Sequence, residues 1–223
     1  MTSVVDWGLR EYDASLAAMR ALRSARRREE VPDTLILVEH PPVITVGVQG
    51  TGGEEFPTGL RVVPVERGGK ATYHGPGQLV GYPIVDLEPR HRDVRQFVTD
   101  VEEVVVRSLA EFGLHAGRVP RRRGVWVEGT RKIASVGIAV EEWVTFHGFA
   151  LNVTTDLVAF SGFHPCGFDA AVMTSMREEL GRDVPLPEVA GAVERAWHQI
   201  FDDAVIPAGS AAPFLSPSNA AAR

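Results

Sequence analysis

The chain has 223 residues, of which 44% are hydrophobic and 23% are charged, a composition typical of a globular domain. Its formal net charge of −6 argues against general nucleic-acid binding, which usually goes with a basic balance. No segment approaches the roughly 20 apolar residues of a membrane helix, and residues 1–10 do not resemble a secretory signal. Its one cysteine cannot form an internal disulfide, and a lone thiol suits the reducing cytoplasm. Together these features predict a soluble cytoplasmic protein with no membrane or nucleic-acid partner.

Hydrophobic periodicity predicts three helices. The first covers Tyr12 to Arg28, where apolar side chains recur at helical spacing before Pro32. The clearest covers Asp93 to Phe112 and stops at Gly113, and the last covers Pro187 to Phe201. Short apolar or β-branched runs predict strands at residues 34–38, 43–46, 61–65, 79–85, 124–127, 133–140, 143–146 and 149–153.

Most neighbouring strands have no helix between them, so the sequence predicts a mixed, largely antiparallel sheet flanked by helices. The fold class is therefore α/β, in the broad sense that includes α+β. Residues 1–206 are predicted to form one domain, with a Gly-rich loop at 49–59. Residues 207–223 are rich in Ala, Pro and Ser, which predicts a disordered tail.

Several common catalytic signatures are absent. Gly68-Gly69-Lys70 contains the end of a phosphate-binding loop, but Pro64 occupies the position of its first glycine. Gly75-Pro76-Gly77 does not complete a GxGxxG motif, because Val80 stands where the last glycine is required. Neither GxSxG nor HExxH occurs, so the sequence argues against the common nucleotide, serine-hydrolase and zinc-protease chemistries.

The segment from Arg67 to Gln78 places four glycines among polar side chains. Glycine lets the backbone approach a ligand closely and adopt positive φ. A β-turn between two strands would explain Gly75-Pro76-Gly77 alone, whereas the polar density on both sides favours a binding loop. Both interpretations stay open on the pattern alone.

Cys166 lies in a segment punctuated by Pro and Gly. A lone cysteine is most often an inert core residue, but a thiol in such a loop can be an accessible nucleophile. It would need a nearby cation or base, and the candidates are Lys132, His147, His164 and Lys70. A metal site on one cysteine has no second ligand at characteristic spacing.

Lys70 and Lys132 are the only lysines among the 23 Lys and Arg residues. Ordinary surface lysines would explain them, but their retention in an arginine-rich chain favours a role that requires losing a proton. His147 interrupts an apolar run and is more often a hydrogen-bonded core residue than a catalyst. Arg121-Arg122-Arg123 is most simply a solvated loop, and its functional alternative is a docking patch for an acidic protein.

Five ordered motifs carry a family resemblance. Arg67 to Val80, with Tyr82-Pro83 and Asp86-Leu87, closely resembles the signature of lipoyl(octanoyl) transferases, also called the lipoate-protein ligase B family. The further matches are Gly124–Val127, Lys132–Gly137, Thr145–Val153, and Pro165–Gly167 with Thr174–Met176. The resemblance runs from about Leu35 to Met176, and only the triple arginine and the C-terminal tail stand apart from it.

The resemblance implies a Cys/Lys dyad and the fold shared with biotin and lipoate ligases. In this family the residue at Cys166 carries the acyl thioester, and the residue at Lys132 lowers the pKa of that cysteine. We expect Lys132 to act also as general base. The implied acyl-binding residues are Arg67, Gly68, Gly69, Lys70, Ala71, Thr72, Tyr73, His74, Ser135, Val136, Gly137, Gly148, Phe149 and Ala150.

The implied reaction transfers an octanoyl group from acyl carrier protein to a lysine on lipoyl domains, the first committed step of endogenous protein lipoylation. The implied acceptors are E2 subunits of 2-oxo-acid dehydrogenases and the glycine-cleavage H protein. We expect no cofactor, no metal and a monomer. Three alternatives compete: an ATP-dependent lipoate or biotin ligase, an acyl thioesterase, and a non-catalytic acyl-binding protein.

Overall fold

The structure, a computed structural model, describes residues 1–50, 56, 59–161 and 163–202, with Cys166 described by its main chain alone. Most of the predicted 49–59 loop and the whole predicted tail, 207–223, lie outside these residues. The strands are β1 Ser3–Leu9, β2 Thr34–Glu39, β3 Val43–Val46, β4 Arg61–Pro64, β5 Ala71–His74, β6 Gln78–Ile84, β7 Ala116–Val119, β8 Arg122–Val127, β9 Arg131–Glu141 and β10 Val144–Asn152. The α-helices are α1 Tyr12–Arg27, α2 Val94–Ala110, α3 Met176–Leu180 and α4 Leu186–Phe201.

Two sheets form the framework. The larger has seven strands in the order β1-β2-β6-β10-β9-β8-β7, and the smaller has the order β4-β3-β5. Within the described residues only the β1–β2 and β3–β4 pairs are parallel. The predicted fold class, a largely antiparallel mixed sheet flanked by helices, is confirmed.

The large sheet is covered on both faces. In β2, Leu35 and Leu37 belong to the hydrophobic cluster built with α2 and α4, whereas Ile36 and Val38 belong to the cluster built with α1. Successive side chains of a strand point to opposite faces, so α1 lies across the sheet from α2 and α4. A third cluster packs the small sheet against residues 157–173.

Local chemistry explains the clearest helix. Asp93 caps α2, and its carboxylate accepts hydrogen bonds from the backbone amides of Arg95 and Gln96 at 2.9 Å. These bonds satisfy amide groups that have no partner within the first helical turn.

None of the helices in the described part of the chain combines the length and the apolar character that a membrane span requires.

Two predictions of local structure were wrong. The strands predicted at 143–146 and 149–153 are a single strand, β10, in which His147 lies opposite Ile138 and Gly148 opposite Gly137. His147 keeps its place in the ladder with a positive φ of 56°. Arg122 and Arg123, predicted as loop, begin β8.

The sequence patterns did not identify β1, β7 or α3. Strand β1 mixes Asp6 and Gly8 with apolar residues and is exposed along much of its length, so it has no clear alternation. Its parallel pairing with β2 joins segments that are distant in sequence. Such an edge strand is specified by its partner rather than by its own composition.

Candidate active site

A cavity of about 400 Å³ lies where the loop before β5 meets strands β9 and β10. Lys132 lines this cavity. Twelve of the fourteen residues implied to bind the acyl chain line it as well: Arg67, Gly68, Gly69, Lys70, Thr72, His74, Ser135, Val136, Gly137, Gly148, Phe149 and Ala150. Segments of three separate sequence motifs therefore meet around one space.

The two remaining residues, Ala71 and Tyr73, point the other way. They alternate along β5 with Thr72 and His74, so they face the opposite side of the strand. The ring of Tyr73 packs edge-on against Phe160 with 5.6 Å between centroids. Ala71 and Tyr73 thus belong to the small hydrophobic cluster behind the cavity.

A close glycine contact seats the loop before β5 on β9. The amide of Gly68 donates to the carbonyl of Ile138 at 3.0 Å. A Cβ on Gly137 would lie 2.8 Å from the carbonyl oxygen of Gly68 and 3.1 Å from Cδ of Arg67. Only glycine at 137 leaves room for this approach.

Gly148 has the same function between β10 and β6. A Cβ at this position would collide with the carbonyl oxygen of Gly81 and lie 2.6 Å from Cδ of Pro83. Gly81 in turn leaves space for the ring of Phe149, which lines the cavity. The small residues of these motifs therefore fix the cavity wall by permitting close packing.

His74 lies in a buried hydrogen-bonded chain. Its Nδ1 lies 2.8 Å from Oε1 of Gln78, whose amide nitrogen donates to Oδ1 of Asn152 at 2.9 Å. Because an amide oxygen only accepts, Nδ1 of His74 carries the proton. Its Nε2 accepts from the hydroxyl of Thr45 at 3.3 Å, and that hydroxyl accepts from the guanidinium of Arg67 at 2.9 Å. This series of hydrogen bonds links residues of separate sequence motifs.

The histidines and tyrosines of the cavity wall are neutral at pH 7. Burial lowers the pKa of His147 to about 4 and holds the pKa of His74 well below its ordinary value. Burial also raises the pKa values of Tyr12 and Tyr82 above their ordinary value. Since removing charge from water without compensation is costly, these neutral histidines and tyrosines suit contact with an uncharged acyl chain.

Both lysines approach the 3-10 turn Pro165–Gly167. The Lys132 residue is 1% exposed, and its Nζ lies 5.2 Å from the ring centroid of Phe168, directly after the turn. Lys70 reaches the turn from the loop directly before β5, since a Cβ on Gly167 would lie 3.2 Å from its Nζ. The structure therefore brings the two lysines of the chain to the turn that contains its lone cysteine.

Cys166 is the middle residue of this turn, and its side chain lies outside the described residues. The turn is closed by the amide of Gly167, which donates to the carbonyl of His164 at 2.9 Å. Of the other candidate partners, His164 is exposed, and His147 lies 3.4 Å from Oε2 of Glu66.

Backbone hydrogen bonds attach the residues that follow the turn to β9. Met173 forms a parallel bridge with Lys132, and the amide of Thr174 donates to the Lys132 carbonyl at 3.0 Å. The side chain of Asn152 donates to the carbonyl of Thr174 at 2.9 Å. These bonds connect the backbone at Lys132 to the network around His74.

Sequence reasoning missed other cavity residues. Val80 and Tyr82 share one face of β6, a period-two signal that could have identified them. The helical period marked Tyr12 only as a core residue of α1. Phe168 carries no local pattern that indicates a site. Among the residues that the structure describes, no cluster of three His, Cys, Asp or Glu is placed to hold a metal ion.

The lipoyl protein ligase A/B catalytic domain matches residues 11–198. An octanoyltransferase of Geobacter metallireducens is 44% identical over 198 residues, which cover 89% of this chain and 92% of that protein. An octanoyltransferase of Mycobacterium tuberculosis is 44% identical over 209 residues, covering 92% and 89%. The chain belongs to the octanoyltransferase family. The resemblance drawn from the five motifs is confirmed.

Solved structures relate this octanoyltransferase-family chain to protein ligases. Lipoate-protein ligase A bound with ATP superposes with a TM-score of 0.73 at 19% identity, covering 91% of this chain and 86% of the ligase. A biotin protein ligase from Aquifex aeolicus in complex with biotin and ATP superposes with a TM-score of 0.54 at 12% identity, covering 91% and 71%. At these identities the likeness concerns the fold alone.

Proposed function

We propose that this chain transfers an octanoyl group from acyl carrier protein to a lysine of lipoyl domains through a thioester on Cys166. The proposed acceptors are E2 subunits of 2-oxo-acid dehydrogenases and the glycine-cleavage H protein. The 44% identical octanoyltransferases support octanoyl transfer as the reaction. The carrier-protein donor, the thioester and the Cys166/Lys132 dyad are the finer part of the proposal and follow from the family resemblance.

One observation carries the thioester proposal. The lone cysteine lies in a turn that both lysines of the chain approach, and Lys132 also lines the cavity. A thiol reacts as its thiolate, which a nearby cation stabilises. An ammonium group beside Cys166 would supply that stabilisation, and the cavity would hold the acyl chain next to the reacting carbon.

The first half of the reaction forms the acyl-enzyme. The Cys166 thiol gives its proton to Lys132, and the thiolate attacks the carbonyl carbon of the octanoyl thioester. A new carbon–sulfur bond to Cys166 forms as the bond to the pantetheine sulfur breaks. The leaving thiolate takes the proton back from the Lys132 ammonium, so charge and atoms balance.

The second half transfers the chain to the acceptor. The neutral amine of the lipoyl-domain lysine attacks the thioester carbon, and the bond to Cys166 breaks. Lys132 accepts the proton that the amine loses on forming the amide. The enzyme is left as the thiolate and ammonium pair, which starts the next cycle.

The energetics of these steps require no nucleotide. Exchange of one thioester for another costs little because the bond types are alike, and amide formation from a thioester is downhill. The rival is an ATP-dependent ligase, because ligases have the same fold and form the activated acyl group with ATP. Such a ligase needs no cysteine nucleophile, so the two functions differ in a testable way.

The test is intact mass spectrometry of the protein after incubation with octanoyl-acyl carrier protein, without ATP or acceptor. We expect an octanoyl adduct that hydroxylamine removes, that is absent from Cys166→Ala, and that moves to an added lipoyl domain. Transfer that persists in Cys166→Ala without an adduct would overturn the thioester proposal. Transfer that requires ATP would favour the ligase, and release of free octanoate without amide formation would favour a thioesterase.

A further inference from the structure

A second groove, of about 440 Å³, lies between the start of α2 and the β7–β8 hairpin. Its lining is rich in one residue type. Five of its ten lining residues are arginines: Arg95, Arg118, Arg121, Arg122 and Arg123. A chain with a net charge of −6 has therefore collected a strongly basic surface at one place.

Arginines elsewhere in the chain are mostly neutralised. Thirteen arginines among the described residues lie within 4.0 Å of an Asp or Glu carboxylate. In the groove this holds only for Arg118, which pairs with Glu103 at 2.8 Å. Paired arginines contribute little net field to the surface, because the adjacent carboxylate cancels their charge.

The other four groove arginines have no such partner. Arg95, Arg121, Arg122 and Arg123 are exposed, and no carboxylate of the described residues lies within 4.0 Å of them. The one carboxylate lining the groove, Glu102, accepts from the backbone amide of Gly124 at 2.8 Å. Among the described residues, the five groove arginines therefore outnumber the carboxylates beside them, Glu102 and Glu103.

Helix α2 adds to this positive potential. Arg95 lies in its first turn, where the helix dipole already places partial positive charge and where a cation is unfavourable. Arg121, at the tip of the hairpin, has a positive φ of 66° that a non-glycine residue seldom adopts. Both features lower stability slightly while gathering positive charge in one groove.

The groove also opens onto the candidate active site. Arg121 and Arg123 line the acyl cavity as well as the groove, so these two side chains stand at the boundary between them. A ligand bound in the groove is therefore adjacent to the cavity that Lys132 lines. This continuity connects the basic surface to the proposed reaction.

Charge decides between the two macromolecular substrates. The acceptor presents a lysine, a cation in solution, which Arg121 and Arg123 at the entrance from the groove to the cavity would repel. The donor presents its acyl group on a phosphopantetheine arm, whose phosphodiester is an anion. Arginine binds phosphate through several directed hydrogen bonds, so the entrance fits the arm of the donor.

We infer that this arginine groove is the docking surface for an acidic face of the carrier-protein donor, with Arg121 and Arg123 contacting the arm's phosphodiester. The inference rests on the proposed function and specifies where its donor binds. Arg95 and Arg122 attract the acidic face. The groove plays no part in binding the lipoyl-domain acceptor.

The test compares three proteins: the native chain, Arg95→Gln/Arg122→Gln and Arg121→Gln/Arg123→Gln. The matched control is Arg182→Gln, an exposed arginine outside the groove whose guanidinium donates to the backbone carbonyl of Asp183 at 3.5 Å. Transfer is measured with octanoyl-carrier protein and with octanoyl-pantetheine, which lacks both the protein and the phosphate. Binding of carrier protein without an acyl group is measured in parallel over a range of salt concentrations.

For each double variant we expect KM for octanoyl-carrier protein to rise about tenfold and its salt dependence to weaken. For Arg95→Gln/Arg122→Gln, whose side chains do not line the acyl cavity, we expect kcat/KM for octanoyl-pantetheine to stay within about twofold of the native value, since that donor presents no anion to the groove. For Arg121→Gln/Arg123→Gln, which also changes the cavity wall, we expect a smaller loss with octanoyl-pantetheine than with octanoyl-carrier protein. Arg182→Gln should match the native chain with both donors. KM for the lipoyl domain should not change in any variant.

Three results would overturn the inference. These are an unchanged KM for octanoyl-carrier protein, an equal loss with octanoyl-pantetheine, or a raised KM for the lipoyl domain instead. A different result would overturn the proposed function. If carrier-protein binding depends on the groove but the native protein forms no octanoyl adduct, the docking surface stands and the proposed reaction does not.

Discussion

Gly124 leaves the space that the side chain of Lys132 occupies. A Cβ on Gly124 would lie 2.8 Å from Cε of Lys132 and would also collide with the carbonyl oxygen of Ala134. Gly124 has a φ of 107°, a conformation that side chains rarely tolerate. The glycine of the β8 motif is therefore explained by the lysine of the β9 motif.

We expect Gly124→Ala to displace Lys132 and to lower octanoyl transfer about 100-fold, because small misplacements of reacting groups are costly. The strained backbone should also lower the free energy of unfolding by about 1–3 kcal/mol. Gly129→Ala is the matched control, since Gly129 also has positive φ, 70°, but a Cβ there meets only Cγ2 of Val119 at 3.9 Å. Equal transfer rates in the two variants would contradict the prediction.

Replacing Lys132 by Met retains an apolar side chain of similar length but removes the amine. We expect acyl-enzyme formation to fall by about 100-fold or more. The half-maximal pH for alkylation of Cys166, the chain's only cysteine, should rise by about one unit or more. Alkylation rates measured between pH 5 and 10 give this readout, and an unchanged profile would remove Lys132 from the dyad.

Lys70→Met is the informative comparison for that experiment. Lys70 approaches the same turn, since a Cβ on Gly167 would lie 3.2 Å from its Nζ, but Lys70 is only half-buried. We expect a smaller loss of acyl-enzyme formation than in Lys132→Met. If Lys70→Met has the larger effect on the alkylation profile, the base is Lys70.

Local patterns predicted the elements that are stabilised by their own sequence. The helix from residue 93 and most strands of the large sheet follow from periodicity and capping. The break predicted at His147 was wrong, because pairing with β9 and β6 on both sides holds β10 together through a residue of positive φ. Strand β1 was missed because its parallel partner is distant in sequence.

In the candidate site too, local sequence patterns identified some residues and missed others. Composition alone drew attention to Cys166, Lys70 and Lys132, since rare residue types are visible without a fold. Their meeting depends on the bridge between Lys132 and Met173, which no local pattern indicates. Phe168 could not be found for the same reason, because only tertiary packing places its ring beside the Lys132 ammonium.

The buried His40 predicts an acid-sensitive fold. Its Nδ1 donates to the carbonyl of Arg10 at 2.7 Å, and its Nε2 accepts from the hydroxyl of Tyr82 at 2.8 Å. Burial lowers the pKa of His40 from 6.5 to about 4. Between these values the unfolded chain binds a proton that the folded chain does not, so stability present above pH 6.5 is lost as pH falls towards 4.

We expect this one group to remove about 3 kcal/mol of unfolding free energy between pH 7 and pH 4. Urea unfolding at several pH values should therefore show a flatter pH dependence in His40→Gln than in the native protein, although the variant is less stable at pH 7. His115→Gln, at an exposed position, is the control. An equally steep loss in His40→Gln would show that other groups cause the acid sensitivity.

Ala150 offers a direct test of where the acyl chain lies. It is 4% exposed, it lines the cavity, and it pairs with Ser135 of β9 and Val80 of β6. Ala150→Leu adds carbons inside the cavity, so the last carbons of an octanoyl chain should lose their place. Each apolar carbon kept out of such a site costs about 0.8 kcal/mol, which is about fourfold in kcat/KM.

We therefore expect Ala150→Leu to lower kcat/KM for octanoyl donors and to favour hexanoyl and shorter ones. Ala17→Leu adds the same carbons on the exposed face of α1 and should leave the preference unchanged. A series of donors from butanoyl to decanoyl, with melting temperatures to verify folding, gives the measurement. If Ala150→Leu keeps the native preference, the acyl chain occupies another space, because added bulk in the cavity would not then compete with it.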